Sequence, residues 1–173
     1  FINNAPDSYA NAKYSATRER SVGLGVMGLH SYFQKKNIPF ASVMSKVWNK
    51  KIFKNIQEKV DAASVSLAEE RGACPDAAEY GMKERFSNKT AIAPTASISI
   101  ICGGASPGIE PIDANSYTHK TLSGSYNVRN KYRAKILEKY GKNKDEVWSR
   151  ITTNQGSVYH LNLWPKAEKE ELK

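Results

Sequence analysis

The sequence is short of the residues that define the more specialised small proteins. It has two cysteines in 173 residues, Cys74 and Cys102, which cannot form a disulfide framework. No C-x-x-C pair is present, so inert thiols in a reducing, cytoplasmic setting are expected. The three histidines, His30, His119 and His160, lack ligand spacing, and no metal site is expected. No apolar run approaches a membrane span. Phe1-Ile2-Asn3-Asn4 turns polar too soon for a secretory signal. Asn88-Lys89-Thr90 is therefore read as a chance match to a glycosylation acceptor. Because the chain opens on Phe1 and not Met, it is expected to be a fragment or a trimmed product.

What the sequence does have is a formal charge of +9 and 40% hydrophobic residues. That apolar share supports one domain spanning residues 1–173 with a core of its own. The lysines are dispersed along polar helix faces, as a solvated basic surface requires. Nucleic acid is not the expected partner, and the charge is compatible with anionic small molecules such as nucleotides.

Periodicity predicts several helices. Val26, Leu29, Tyr32 and Phe33 mark one face of a helix ending near Lys36. From Ser42 to Arg71, apolar residues from Val43 to Leu67 recur at three- and four-residue steps, with one six-residue gap between Val47 and Phe53 that contains Trp48 and Ile52, and Gly72 is placed as the C′ residue. Residues 73–88 read as loop and a short turn, and Thr90 to Ala93 as a short strand stopped by Pro94. Further helices are expected over Val128 to Tyr140 and Asp145 to Thr153, and another opening at Pro165. Short strands alternating with helices favour an α/β class.

Two glycine-containing segments bear on function. Gly23-Leu24-Gly25-Val26-Met27-Gly28 matches G-x-G-x-x-G. No apolar strand precedes it, and no acidic residue lies near Met44 to Asn49 to hold a ribose. Close packing of a backbone turn explains these glycines better than a dinucleotide does. In Thr90 to Pro111, Thr95 and Ser97 can cap a helix or turn following Pro94. The amides of Ala96, Ser97 and Ile98 would then face outward together, with Ile98, Ile100 and Ile101 anchoring the element below. The chemistry alone leaves two readings open, a phosphate loop and an ordinary strand and turn.

The same residues carry a resemblance. Ala93-Pro94-Thr95-Ala96-Ser97-Ile98-Ser99-Ile100-Ile101, followed by Ser106-Pro107-Gly108-Ile109-Glu110-Pro111, is similar to the signature segment of ribonucleotide reductase large subunits. Arg20 to Leu29, Ala68 to Pro75, Tyr117 to Ser125 and Gly156 to Leu161 resemble further segments of that family in the same order. The last two favour a class I large subunit.

The resemblance implies part of a ten-stranded α/β barrel, incomplete on its own, in which substrate phosphates are held by Pro94, Thr95, Ala96, Ser97 and Ile98. It implies no catalytic residue here, because the radical cysteine, its C-x-L-x-E-like segment and the reducing pair have no counterpart. Cys74, Cys102 and Glu110 are expected to be structural. No cofactor is expected in this piece. The complete enzyme would use a radical cofactor in a small subunit and thioredoxin or glutaredoxin as reductant. The implied partners are the remainder of the large subunit, the radical-generating small subunit and a ribonucleoside diphosphate. Three alternatives stand beside this: a non-catalytic phosphate-binding remnant or split-subunit partner, an NAD(P)-dependent oxidoreductase, and a basic nucleic-acid binder.

Overall fold

The structure is a computed structural model and describes residues 2–122 and 124–161, with the side chain of Thr121 excepted. The helix expected from Pro165 lies outside the described residues. The described chain forms two compact units. One comprises residues up to Val26 together with Val47–Ala93, the other Met27–Lys46 and the residues from Pro94 onward.

In the first unit, two single-turn 3-10 helices, Ile2–Asn4 and Asp7–Tyr9, lead into helix α1, Ala10–Glu19. The 29-residue helix α3, Val43–Arg71, contributes all but its first turn to this unit. Gly72 takes a left-handed φ of 82° where α3 stops, as a C′ glycine should. The Arg85 guanidinium also donates to the terminal carbonyls of Arg71 and Gly72, each at 2.9 Å. Pro75 does not only follow a helix end. It opens a short helix α4, Pro75–Glu79, at a position where its missing N–H costs nothing. Arg18 bridges to both Asp76 (2.5 Å) and Glu79 (2.6 Å) of α4.

The apolar stripe of α3 is only partly covered: Val43 is 77% exposed and Val47 55%. Its fully buried contact is Ser64, whose Oγ accepts the amides of Arg85 and Phe86. The strand expected over 90–93 is reduced to one parallel bridge between Leu24 and Thr90. The glycine segment packs there. A Cβ on Gly23 would lie 2.8 Å from the Ala91 side chain, and one on Gly25 would lie 2.8 Å from the Ala91 carbonyl oxygen. No strand stands directly before Gly23, since α1 ends at Glu19. The geometry is close backbone packing and not a dinucleotide turn.

In the second unit, Gly28 (φ 82°) precedes helix α2, Leu29–Lys35. Helix α5 is Ala96–Ile101. An antiparallel hairpin follows, β1 Ser116–Thr121 paired with β2 Gly124–Arg129 in the register Ser116↔Arg129 to Thr121↔Gly124. Val128 therefore belongs to a strand and not to the helix expected from it. Helix α6 runs over Lys131–Lys139 and is capped by Asn130, whose side chain accepts the amides of Tyr132 and Arg133. Helix α7, Asp145–Thr153, carries Asp145 and Glu146 in its first turn, where they complement the helix dipole.

The core of this unit is Leu137, Trp148, Ile151, Val158 and Leu161. Leu137 and Ile151 are fully buried, each contributing about 1.5–3 kcal/mol by removal from water. The Trp148 indole N–H donates to Asn143 at 2.7 Å, so its burial leaves no donor unpaired.

Gly156 lies against Ala114. A Cβ there would clash with the Ala114 Cβ and reach 2.8 Å from its Cα, at a φ of 78°. Gly141 has a comparable φ of 65° with nothing within 4 Å. Gly156→Ala is therefore expected to destabilise by about 3 kcal/mol or more, combining clash and left-handed strain. Gly141→Ala should cost only about 1 kcal/mol for the conformation alone. Paired urea unfolding curves of the two variants check this; equal losses would contradict it.

Candidate functional site

The segment 94–98 enters α5 through an unusual residue. Thr95, immediately before the helix, has φ 52° and ψ 27°. A β-branched residue in the left-handed region is a genuine outlier, costing about 1–2 kcal/mol. It is held from both ends. Its carbonyl accepts the first α5 hydrogen bond, from the Ser99 amide at 2.9 Å. Its Oγ1 accepts the amide of Gly108 at 2.7 Å.

The expectation that Thr95 caps α5 through its hydroxyl is therefore corrected: the side chain makes no cap bond to the helix. The strained backbone turns the hydroxyl toward the Ser106–Gly108 loop instead. Accepting the Gly108 amide leaves the hydroxyl its own proton to donate.

Before the Ser99–Thr95 bond, the amides of Ala96, Ser97 and Ile98 precede any α-helical acceptor. Pro94, Ala96, Ser97 and Ile98 are all exposed, and Thr95 is half-buried. The five expected site residues thus lie together at one end of a short helix. The donors are neutral, three amides and two hydroxyls, and the positive end of the peptide dipoles faces the same way.

The isoleucine expectation does not hold. Ile98, Ile100 and Ile101 are 55%, 54% and 82% exposed, while Ser99 is buried at 4%. The Ser99 hydroxyl donates to the Ala96 carbonyl at 2.8 Å, and its carbonyl accepts the Ala105 amide at 3.0 Å. Only a small side chain that satisfies its own polar atom fits under the return of this loop. Cys102, expected to be an inert structural thiol, is exposed at the end of α5, whereas Cys74 is fully buried.

Behind the site, the start of α2 holds the loop that carries Gly108. Gly28 donates its amide to the Ser106 carbonyl at 2.8 Å. Ser31 and Ser106, both buried, exchange hydrogen bonds: the Ser31 amide donates to Ser106 Oγ at 3.1 Å, and the Ser106 amide to Ser31 Oγ at 2.8 Å. Farther along, the Ile112 amide donates to His30 Nδ1 at 2.9 Å. That bond requires an unprotonated Nδ1, and so a neutral imidazole carries its proton on Nε2. Burial, and then the nearby Arg133 charge, lower the His30 pKa and keep it neutral. Arg133 itself is pushed down to about 10 by its burial.

Sequence reasoning missed Ser31, Ser106 and His30 as supports of the loop that carries Gly108. Serine and histidine carry no local signal for a partner found only by folding. Among the described residues, no three His, Cys, Asp or Glu side chains cluster to hold a metal ion. No described helix is long and apolar enough to cross a membrane.

The described residues combine helices with one two-stranded hairpin, the mixed content of an α/β piece. A family model described as the ribonucleotide reductase barrel domain matches residues 2–83 and 76–172, and the chain belongs to that family. It is 42% identical over 176 residues to the ribonucleoside-diphosphate reductase large subunit of Invertebrate iridescent virus 3, covering 100% of this chain and 28% of the relative. It is 44% identical over 177 residues to the large subunit of Invertebrate iridescent virus 6, covering 100% of this chain and 18% of the relative. Among solved structures, it superposes on the Actinobacillus ureae class Id ribonucleotide reductase alpha subunit with a TM-score of 0.86 and 37% identity, covering 100% of this chain and 31% of that one. The chain thus spans less than a third of these relatives.

The lowered His30 pKa makes a signed prediction. The unfolded state binds the proton more readily, so the stabilisation is complete above about pH 6.5 and is lost as pH falls toward the folded-state value. The melting temperature should drop between pH 7.5 and 5, and His30→Gln should flatten that drop. An unchanged slope in the variant would assign the acid sensitivity elsewhere.

Proposed function

We propose that this chain is the substrate-phosphate-holding piece of a ribonucleoside-diphosphate reductase large subunit, one part of a single catalytic barrel domain. The observation that supports it most is the donor set of Ala96, Ser97 and Ile98 amides beside a Thr95 hydroxyl fixed by Gly108. A diphosphate has more lone pairs than water-free protein can easily satisfy. A helix start with free amides and two hydroxyls supplies donors that do not themselves titrate near neutrality.

In this reading Thr95 and Ser97 donate to phosphate oxygens, Pro94 sets the direction of entry, and Ala96 and Ile98 contribute backbone. The chain supplies position and not the reacting group. The radical cysteine and the reducing pair come from the remainder of the large subunit. The radical originates in a small subunit, with thioredoxin or glutaredoxin as the final reductant. The reaction is reduction of the ribose 2′-carbon in the cytoplasm. The exposed apolar residues Ile98, Ile100 and Ile101 of α5 support the view that neighbouring parts of the same barrel cover this helix.

The test uses the complete large subunit containing this chain, with its small subunit, assayed for ribonucleoside diphosphate reduction. Thr95→Val combined with Ser97→Ala is expected to raise KM about tenfold or more, as loss of two hydrogen bonds to a charged group predicts. Unchanged kinetics would overturn the phosphate assignment. Retained diphosphate binding with no turnover in the unaltered subunit would favour a non-catalytic remnant.

A further inference from the structure

We propose that Ser31 and Ser106 are positioning residues that set the Thr95 hydroxyl for phosphate, an inference that rests on the phosphate reading above. The argument is one of connectivity. Ser106 is fully buried, and its amide, carbonyl and hydroxyl oxygen are all engaged: with Ser31 Oγ, the Gly28 amide and the Ser31 amide respectively. One residue farther on, Pro107 restricts the backbone at φ near its ring-fixed value. The next residue, Gly108, is buried with φ 47° and donates its amide to Thr95 Oγ1 at 2.7 Å. The path from the start of α2 to the Thr95 hydroxyl therefore runs through a hydrogen bond at Ser106, a ring-fixed φ at Pro107 and a hydrogen bond at Gly108.

The exchange between the two serines demands short side chains. Each hydroxyl must reach the other residue's amide while both backbones lie side by side, and a longer polar residue would push the strands of chain apart. Each hydroxyl also keeps a proton of its own, so the pair is not a closed structural dead end. Removing either oxygen leaves a buried amide without its acceptor, and the loop must shift to find another. A shift there moves the Gly108 amide, and with it the orientation that leaves the Thr95 proton directed at a ligand. Thr95 already sits in a strained conformation, so it has little reason to stay once Gly108 is displaced.

Equilibrium binding to the complete large subunit tests this with two probes, a ribonucleoside diphosphate and the parent ribonucleoside. The Kd of the ribonucleoside divided by the Kd of the diphosphate reads the phosphate contribution alone. Ser31→Ala and Ser106→Ala are each expected to lower that ratio about tenfold, the size of one misaligned charge-assisted hydrogen bond, with ribonucleoside affinity unchanged. In a Thr95→Val background the same changes should lower it no further. An unchanged ratio in both serine variants, while Thr95→Val lowers it, overturns the inference and leaves the phosphate reading intact. Equal weakening of both probes also overturns it, since that marks a purely structural role. If Thr95→Val itself leaves the ratio unchanged, the phosphate reading fails and this inference with it. Should Ser106→Ala not fold, Ser31→Ala decides alone, because it removes only the acceptor of the Ser106 amide.

Discussion

The 2.7 Å bond from the Gly108 amide to Thr95 Oγ1 is the contact on which the candidate site depends. It compensates a left-handed threonine that would otherwise be disfavoured by about 1–2 kcal/mol. It also ties the entrance of α5 to a loop that returns after its end. Everything behind that loop, from the Ser31–Ser106 exchange to the His30–Ile112 bond, fixes where Gly108 stands. Strain at Thr95 and order in the loop are two sides of one arrangement, in which a costly conformation persists because its surroundings over-determine it.

In the phosphate reading proposed above, the same arrangement lets a basic protein hold an anion with neutral groups. The lysines that make up much of the +9 charge are dispersed along the sequence, and Arg133, buried among the described residues, sits near His30 and not among the residues of 94–98. In the phosphate reading, affinity comes from directed amides and hydroxyls whose geometry is prepared in advance, and the distributed lysines add a long-range, salt-screened attraction. His30 fits this division. Kept neutral, it serves as a hydrogen-bond acceptor for the loop and adds no charge.

Much of this was legible in the sequence where the signal is local. Helix α7 begins and ends where its pattern predicts, α3 begins within a residue of its predicted start, and Gly72 closes it. The sequence also groups residues 94–98, through chemistry that leaves two readings open and a resemblance that selects one, and the structure places them together at the start of α5. What was not legible depends on partners distant in sequence. Val128 has helical neighbours but is drawn into β2 by its pairing with Tyr117. The isoleucines of α5 look like a core stripe, yet the loop return admits only Ser99 beneath it. Ser31 and Ser106 lie 75 residues apart and have no pattern that announces their exchange.

The most direct measurement is the structure of the complete large subunit with a ribonucleoside diphosphate bound. The account predicts phosphate oxygens within about 3 Å of the Thr95 and Ser97 hydroxyls and the Ala96–Ile98 amides, at ordinary hydrogen-bond length. Thr95 should keep its left-handed backbone and its bond from Gly108. A diphosphate bound elsewhere, with the start of α5 contacting only water or protein, would contradict it.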